Sequence, residues 1–182
     1  MSVQMNQSLS VDCAVFGFDG RLLKVLLVER RDYDPGTHLD RLKLPGAMIL
    51  ENETLPAAAS RVLAEATGLR EIYLKQMEIF SDPARVTGKE LEWINRSHGI
   101  NTERVVTVGY YALVKLDRRV VAYTTEKRAQ WVEVESIQRL AMDHKQILSS
   151  ALWYLCRDMQ QSPVAFELLP RKFTIRELQN LY

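Results

Sequence analysis

The chain has 182 residues, 47% of them hydrophobic, and a formal net charge of +1. That length buries one substantial core and is too short for two large ones, and the charge excludes a global basic field of the kind that advertises nucleic-acid binding by a whole domain. No apolar run approaches the ~20 residues needed to span a bilayer, and the N-terminal MSVQMNQSLS lacks the basic and apolar regions of a secretion signal, so a cytoplasmic location without membrane contact is expected.

In chain order, residues 10–18 (SVDCAVFGF) are predicted to form a strand, with Asp19-Gly20 as a hairpin-type turn behind it. Residues 22–28 make a second, more continuously apolar strand. The Asp, Pro and Gly content of residues 32–40 marks a loop, and residues 42–45 are a short extended piece. Thr54 as N-cap, Pro56 in the first turn and Gly68 at the end frame a helix. Its apolar surface is expected from Ala57, Ala58, Val62, Leu63 and Ala66, with Arg61 and Glu65 on a shared polar edge. Residues 71–80, 104–116 and 129–137 are predicted strands, the last with Trp131, Val132 and Val134 as core candidates. Residues 82–103 are polar and long for a connection, so they are expected to form a loop that faces a ligand or moves.

Asp143 is placed to cap a helix from His144 to about Gln160, where Ile147, Leu148, Ala151, Leu152 and Leu155 recur at helical spacing. Thr174 and Glu177 have capping-box spacing, and Ile175, Leu178 and Leu181 follow at helical intervals. The sequence stops about two turns into that helix, which reads as the start of a further domain. Cys13 and Cys156 have neither metal-type nor redox spacing and are expected to be buried free thiols.

The most specific pattern lies in residues 46–69. Glu53, Arg61, Leu63, Glu65, Gly68 and Leu69 fall without a gap on the consensus Gly, five residues, Glu, seven residues, Arg-Glu-apolar-any-Glu-Glu, any, Gly, apolar. This is the outline of a Nudix box with three defining positions lost: Ala47 next to Gly46 replaces the opening Gly, Val62 the Glu after the Arg, and Ala66 the last Glu. In a complete box those carboxylates share a helix face and hold Mg²⁺ or Mn²⁺ against a diphosphate. Here that face reads Val62, Glu65, Ala66. Mg²⁺ is bound through carboxylates plus substrate phosphates, and multi-metal phosphoryl chemistry needs more anionic ligands than one. No cofactor is therefore required, and Mg²⁺ enters only if the chain is catalytic, through Glu65. Glu53 and Arg61 are read as a structural pair bracing loop to helix. Glu65 stays open between a solvated residue, a second acceptor for Arg61 and a retained ligand contact.

The degenerate box Arg-Val-Leu-Ala-Glu, the opening strand VDCAVFGF, the stretch AMDHKQIL and the tail FELLPRKFTIRELQNLY together resemble the Nudix-related transcriptional regulators called NrtR-type, over nearly the whole chain. The tail, residues 167–182, is the more discriminating part. The resemblance implies an α+β fold, a Nudix-type α/β/α sandwich with a mixed sheet in residues 1–162, then a linker and the first helix of a truncated winged-helix domain in residues 163–182. It also implies an effector sensor that binds ADP-ribose or a related sugar phosphate without hydrolysis, acts as a homodimer and reaches DNA only through a domain missing from this chain. Arg171, Lys172 and Arg176 add only a modest basic cluster.

Such a sensor needs cations for phosphate, where the guanidinium fork bonds bidentately, and an aromatic ring for a base. Arg30, Arg85 and Arg104 are the candidates by position, with Phe16, Phe80 or Tyr110 for stacking. The alternative is a Nudix hydrolase of nucleoside diphosphate derivatives, using Glu65 with Glu90, Glu92 or Glu103 from the long loop. Loss of two box carboxylates and the character of the tail both favour the sensor.

Overall fold

Strand β1 (Met5–Phe18) runs through the middle of a seven-stranded sheet and sorts the molecule into layers. Its residues Val11, Cys13 and Val15 lie in one apolar cluster and Ala14, Phe16 and Phe18 in another, as the two-residue period of a strand requires. The computed structural model describes residues 5–31, 33–170 and 172–181. β2 (Leu23–Glu29), β3 (Leu42–Lys43), β5 (Tyr73–Phe80) and β6 (Val106–Lys115) complete the order β3-β2-β1-β6-β5. β4 (Gly46–Leu50) pairs with β1, and β7 (Ala129–Glu133) with β2. The β1–β6 ladder is parallel and the others are antiparallel, so the sheet is mixed.

Helices cover both faces. Ala58, Ala59, Val62, Leu63 and Ala66 of α1 (Leu55–Thr67) and Val120 of α3 (Arg118–Glu126) pack on the Val11, Cys13, Val15 face. Ile147, Leu148, Ala151 and Leu155 of α4 (His144–Gln161) pack on the Phe16 face. This is the expected α/β/α arrangement, made stable because each helix buries one apolar stripe against one side of the sheet. Among the described residues no helix is long and apolar enough to cross a membrane.

The box helix starts and stops where its sequence signals lie: Thr54 Oγ1 accepts the Ala57 N–H, and Gly68, at φ 74°, donates its N–H to the Ala64 carbonyl. Ala57 is exposed, however, and Ala59 takes the buried place expected of it. Residues 82–103 are not a loop throughout, because they contain α2 (Gly88–His98). Only Trp93 and Ile94 of that helix are buried, so its apolar stripe is too narrow to stand out of a polar segment. α3 answers to no expected element. Asp117 caps it by accepting the Arg119 and Val120 N–H groups, which offsets the weak helix propensity of its Val and Thr residues.

β7 ends at Glu133, with Trp131, Val132 and Val134 only partly buried. Cys13 is a buried free thiol, but Cys156 is exposed because it lies off the packed stripe of α4. Val164, Ala165, Leu168 and Leu169 are buried, three of them in the core on the Phe16 face, and Leu178 and Leu181 of α5 (Ile175–Leu181) pack against the same cluster. The capping box forms: Glu177 accepts the Thr174 N–H at 2.7 Å, and its own N–H donates to Thr174 Oγ1 at 3.2 Å. Lys172 and Arg176 are exposed, and Arg171 lies outside the described residues.

Candidate functional site

Ser10 and Asp12 continue the Phe16 face of β1 beyond the apolar residues, and Thr107 of β6 stands beside them, its hydroxyl 2.7 Å from that of Ser10. Here α2 and the start of α4 roof the sheet, and a partly open cleft remains, with about 390 Å³ of empty space when the open solvent at its mouth is included. Asp12, Lys43, Arg85, Trp93, His98 and His144 are among the residues that line it. Charged groups almost never enter a core without a function or a partner.

Their protonation is set by burial and by one another. Burial pushes the Asp12 carboxyl above its ordinary range, while Lys43 and Arg85 pull it down. Burial lowers the Lys43 ammonium, and Asp12 opposes that. His144 is held well below the usual imidazole value by burial and then by Lys43. Its Nδ1 accepts the Leu44 N–H at 3.0 Å, which assigns the proton of the neutral ring to Nε2, 3.8 Å from Asp12 Oδ1. His98 is lowered by burial and by Lys43 and Arg31. Several perturbed groups converging on one concave space are the signature of a binding or reactive site.

The two histidines make a pH prediction. Both have folded pKa values below the ordinary 6.5, so as pH falls through 6.5 the unfolded chain takes up protons that the fold refuses, and stability drops. Asp12 acts in the opposite sense, and only over the range above its ordinary 3.8 in which its raised folded pKa keeps it protonated. Thermal melts at about pH 7.5 and about pH 5.5 are expected to show lower stability at the acid end. His144→Gln, which keeps an acceptor for Leu44, should flatten the difference, and an equal drop in the variant would contradict the assignment.

Of the ligand residues expected from the sequence, Arg85 alone lines the cleft. Its Nε and Nη2 donate to the two Asp143 carboxylate oxygens, each at 2.7 Å, and its Nη1 to Thr107 Oγ1 at 2.8 Å and the Val105 carbonyl at 3.3 Å. Arg30 sits one layer back, 3% exposed, paired with Glu90 and 4.6 Å over the Trp93 ring, with Nε and Nη1 lacking a hydrogen-bond partner among the described residues. Arg104 is exposed and donates to the Ser81 carbonyl. Phe16 and Phe80 are core residues, since aromatic side chains on the packed face of a strand bury there. Tyr110 belongs to the opposite face, under α1, with its hydroxyl on Gln76. The ring that does reach the cleft is Trp93, on the helix expected to be a loop. Asp12, Lys43 and His144 were also missed, although an Asp inside the apolar run VDCAVFGF is a visible anomaly.

The NUDIX domain profile matches residues 6–151. The chain belongs to the Nudix family. The ADPR responsive transcriptional repressor NtrR of Acinetobacter baylyi is 29% identical over 178 residues, 96% of this chain, which spans 64% of that curated relative's length. The crystal structure of Shewanella oneidensis NrtR complexed with a 27mer DNA matches with a TM-score of 0.74 at 28% identity, over 95% of this chain and 73% of that one. The Nudix domain of S. oneidensis NrtR complexed with ADP ribose matches with a TM-score of 0.59 at 28% identity, over 82% of this chain and 89% of that one. The fold is thus that of Nudix-type regulators, and the α+β class with a mixed sheet holds.

The Nudix box itself lies mostly away from the cleft. Its strand residues Gly46, Ala47 and Met48 contribute to the lining, but no residue of α1 does, because α1 packs on the other face of the sheet. Arg61 donates to both Glu53 oxygens at 2.8 Å and to the Met48 carbonyl at 3.2 Å, and Glu53 accepts the Leu50 N–H at 3.1 Å. These bonds brace β4 to α1 and hold the Glu53 carboxyl below its ordinary range. The Glu65 side chain is 66% exposed and stands 3.7 Å from Arg61 as a loose ion pair. Val62 and Ala66 point into the core, as the apolar surface expected of the helix, while Glu65 stands with Arg61 on its polar edge. Glu92 and Glu103 are exposed outside the lining, and Glu90 is engaged by Arg30 and the Met142 N–H. Among the described residues no group of three or more His, Cys, Asp or Glu is placed to hold a metal ion.

Gly46 is the one position of the Nudix box whose backbone the cleft requires. It lies opposite Asp12 in the β1–β4 ladder, and a Cβ there would stand 1.7 Å from Asp12 Oδ1 and 2.8 Å from the Val11 carbonyl. Gly46→Ala is expected to cost about 2–3 kcal/mol, as overpacking does, read by denaturant unfolding. Adding Asp12→Ala should recover part of that loss; no recovery would assign the clash to the Val11 backbone alone.

Proposed function

We propose that this cleft is an effector site for ADP-ribose or a related sugar phosphate, bound without hydrolysis, in a regulator that works in the cytoplasm. The observation that carries the reading is the meeting of Lys43, Arg85 and Trp93 in one cleft beside the buried Asp12. A guanidinium and an ammonium suit a diphosphate, an indole face suits a base, and a carboxylate accepts sugar hydroxyls. The A. baylyi relative is an ADPR responsive repressor and the S. oneidensis Nudix domain forms a complex with ADP ribose, which supports the choice of ligand. Val62 and Ala66, apolar where box carboxylates belong, support binding without cleavage.

α5 with its capping box would be the first helix of a winged-helix DNA-binding domain, and the working unit would be a homodimer. Titration calorimetry with ADP-ribose, paired with chromatography of the same mixture after incubation with Mg²⁺, tests the central claim. Saturable binding with the ligand recovered intact is expected. Release of AMP at ordinary enzyme rates, above about 1 s⁻¹, would return the chain to the hydrolases.

A further inference from the structure

Helix α4 starts on a strained residue that two ion pairs hold in place. Met142 has φ 55°, in the left-handed region that side-chain-bearing residues seldom occupy. Its N–H donates to Glu90, which is paired in turn with buried Arg30. The next residue, Asp143, occupies the N-cap position of an 18-residue helix, yet its carboxylate makes no capping bond. Both oxygens are held by Arg85, from the wall of the cleft. A carboxylate at an N-cap ordinarily accepts a first-turn N–H and is favoured there by the helix dipole. Asp143 therefore has two competing partners, the guanidinium of Arg85 and the first-turn N–H of Lys145, since those of His144 and Gln146 already donate to the Ala141 and Asp143 carbonyls.

Building on the effector-site reading, we infer that Arg85 and Asp143 form a latch released by ligand. A phosphate entering the cleft takes the guanidinium of Arg85, Asp143 turns to cap α4, and the bond from Met142 to Glu90 yields as the backbone leaves its strained conformation. The two states differ in which anion Arg85 binds, which supplies the differential interaction that any ligand-driven shift requires. The far end of α4 leads through the turn Pro163–Glu167 toward α5, whose Leu178 and Leu181 rest on the same core as α4. A change at the helix start thus reaches the C-terminal segment through one packed element.

Hydrogen exchange on the full chain tests the latch. With saturating ADP-ribose the Met142 amide is expected to exchange about tenfold faster than without it. Asp143→Asn, which can still cap the helix but leaves Arg85 without its anion, should show the fast exchange unliganded and bind ADP-ribose about tenfold more tightly. Binding by the wild type with unchanged Met142 exchange overturns the latch and leaves the effector site standing, as does unchanged or weaker binding by Asp143→Asn. Inorganic pyrophosphate separates the opposite failure: if it speeds Met142 exchange while ADP-ribose does not bind, the latch stands and the effector assignment falls. If neither compound binds, both fall. Should Asp143→Asn not fold, the wild-type exchange measurement decides alone.

Discussion

Val62→Glu with Ala66→Glu, which writes the lost acids back into the box, is expected to destabilise the protein and to yield no Mg²⁺-dependent hydrolase. Val62 is 4% exposed and Ala66 8%, and both pack in the cluster with Val11, Cys13 and Val15. A carboxylate placed there is desolvated without a cation partner, so it neutralises or drags water into the core. The cost should reach about 3 kcal/mol or more, a fall of roughly 6–12 °C in Tm for a chain of this size. Val62→Leu, apolar and only slightly larger, should cost less than about 1.5 kcal/mol, which separates charge from volume. A doubly acidic variant that melted like the wild type and turned over ADP-ribose with Mg²⁺ would show that α1 can face a substrate after all.

Replacing Arg85 by Met carries the second large effect, because that side chain has a structural partner and a proposed ligand. Removing it strands the Asp143 carboxylate, 11% exposed, and takes donors from Thr107 and the Val105 carbonyl. Breaking a buried pair from one side costs about 3–5 kcal/mol, and losing a desolvated phosphate contact should weaken ADP-ribose binding by roughly a hundredfold or more. Arg85→Met combined with Asp143→Asn distinguishes the roles. Denaturant unfolding should show stability partly recovered, since no uncompensated charge remains, while calorimetry still finds binding lost. Binding at wild-type strength in the double variant would remove Arg85 from the site.

These predictions rest unequally on what could be read along the chain. The Glu53–Arg61 brace, the caps of α1 and the capping box at Thr174 were legible because each joins residues a few positions apart whose geometry the local backbone dictates. β1 was legible as a strand, but both of its faces are apolar, so which residues meet which side of the sheet was not. α2 was not, since a polar helix with two buried residues differs from a polar loop only by what it rests on. Phe16 and Tyr110 were poor ligand candidates for the same reason: sequence shows that a residue is aromatic, and the register of the sheet decides whether it meets a cleft or a core.

The sequence by itself determined the family outline, the loss of the box acids and the brace that keeps the box in shape. Only the tertiary structure decided that the charged cleft lies across the sheet from the box helix. The physical reason is separation along the chain. Asp12, Lys43, Arg85, Trp93 and His144 come from different strands, loops and helices, and His144 takes the Leu44 N–H from 100 residues away. No local propensity couples such positions, so their shared protonation and the hold of Arg85 on Asp143 exist only once the sheet and its helices have closed around them.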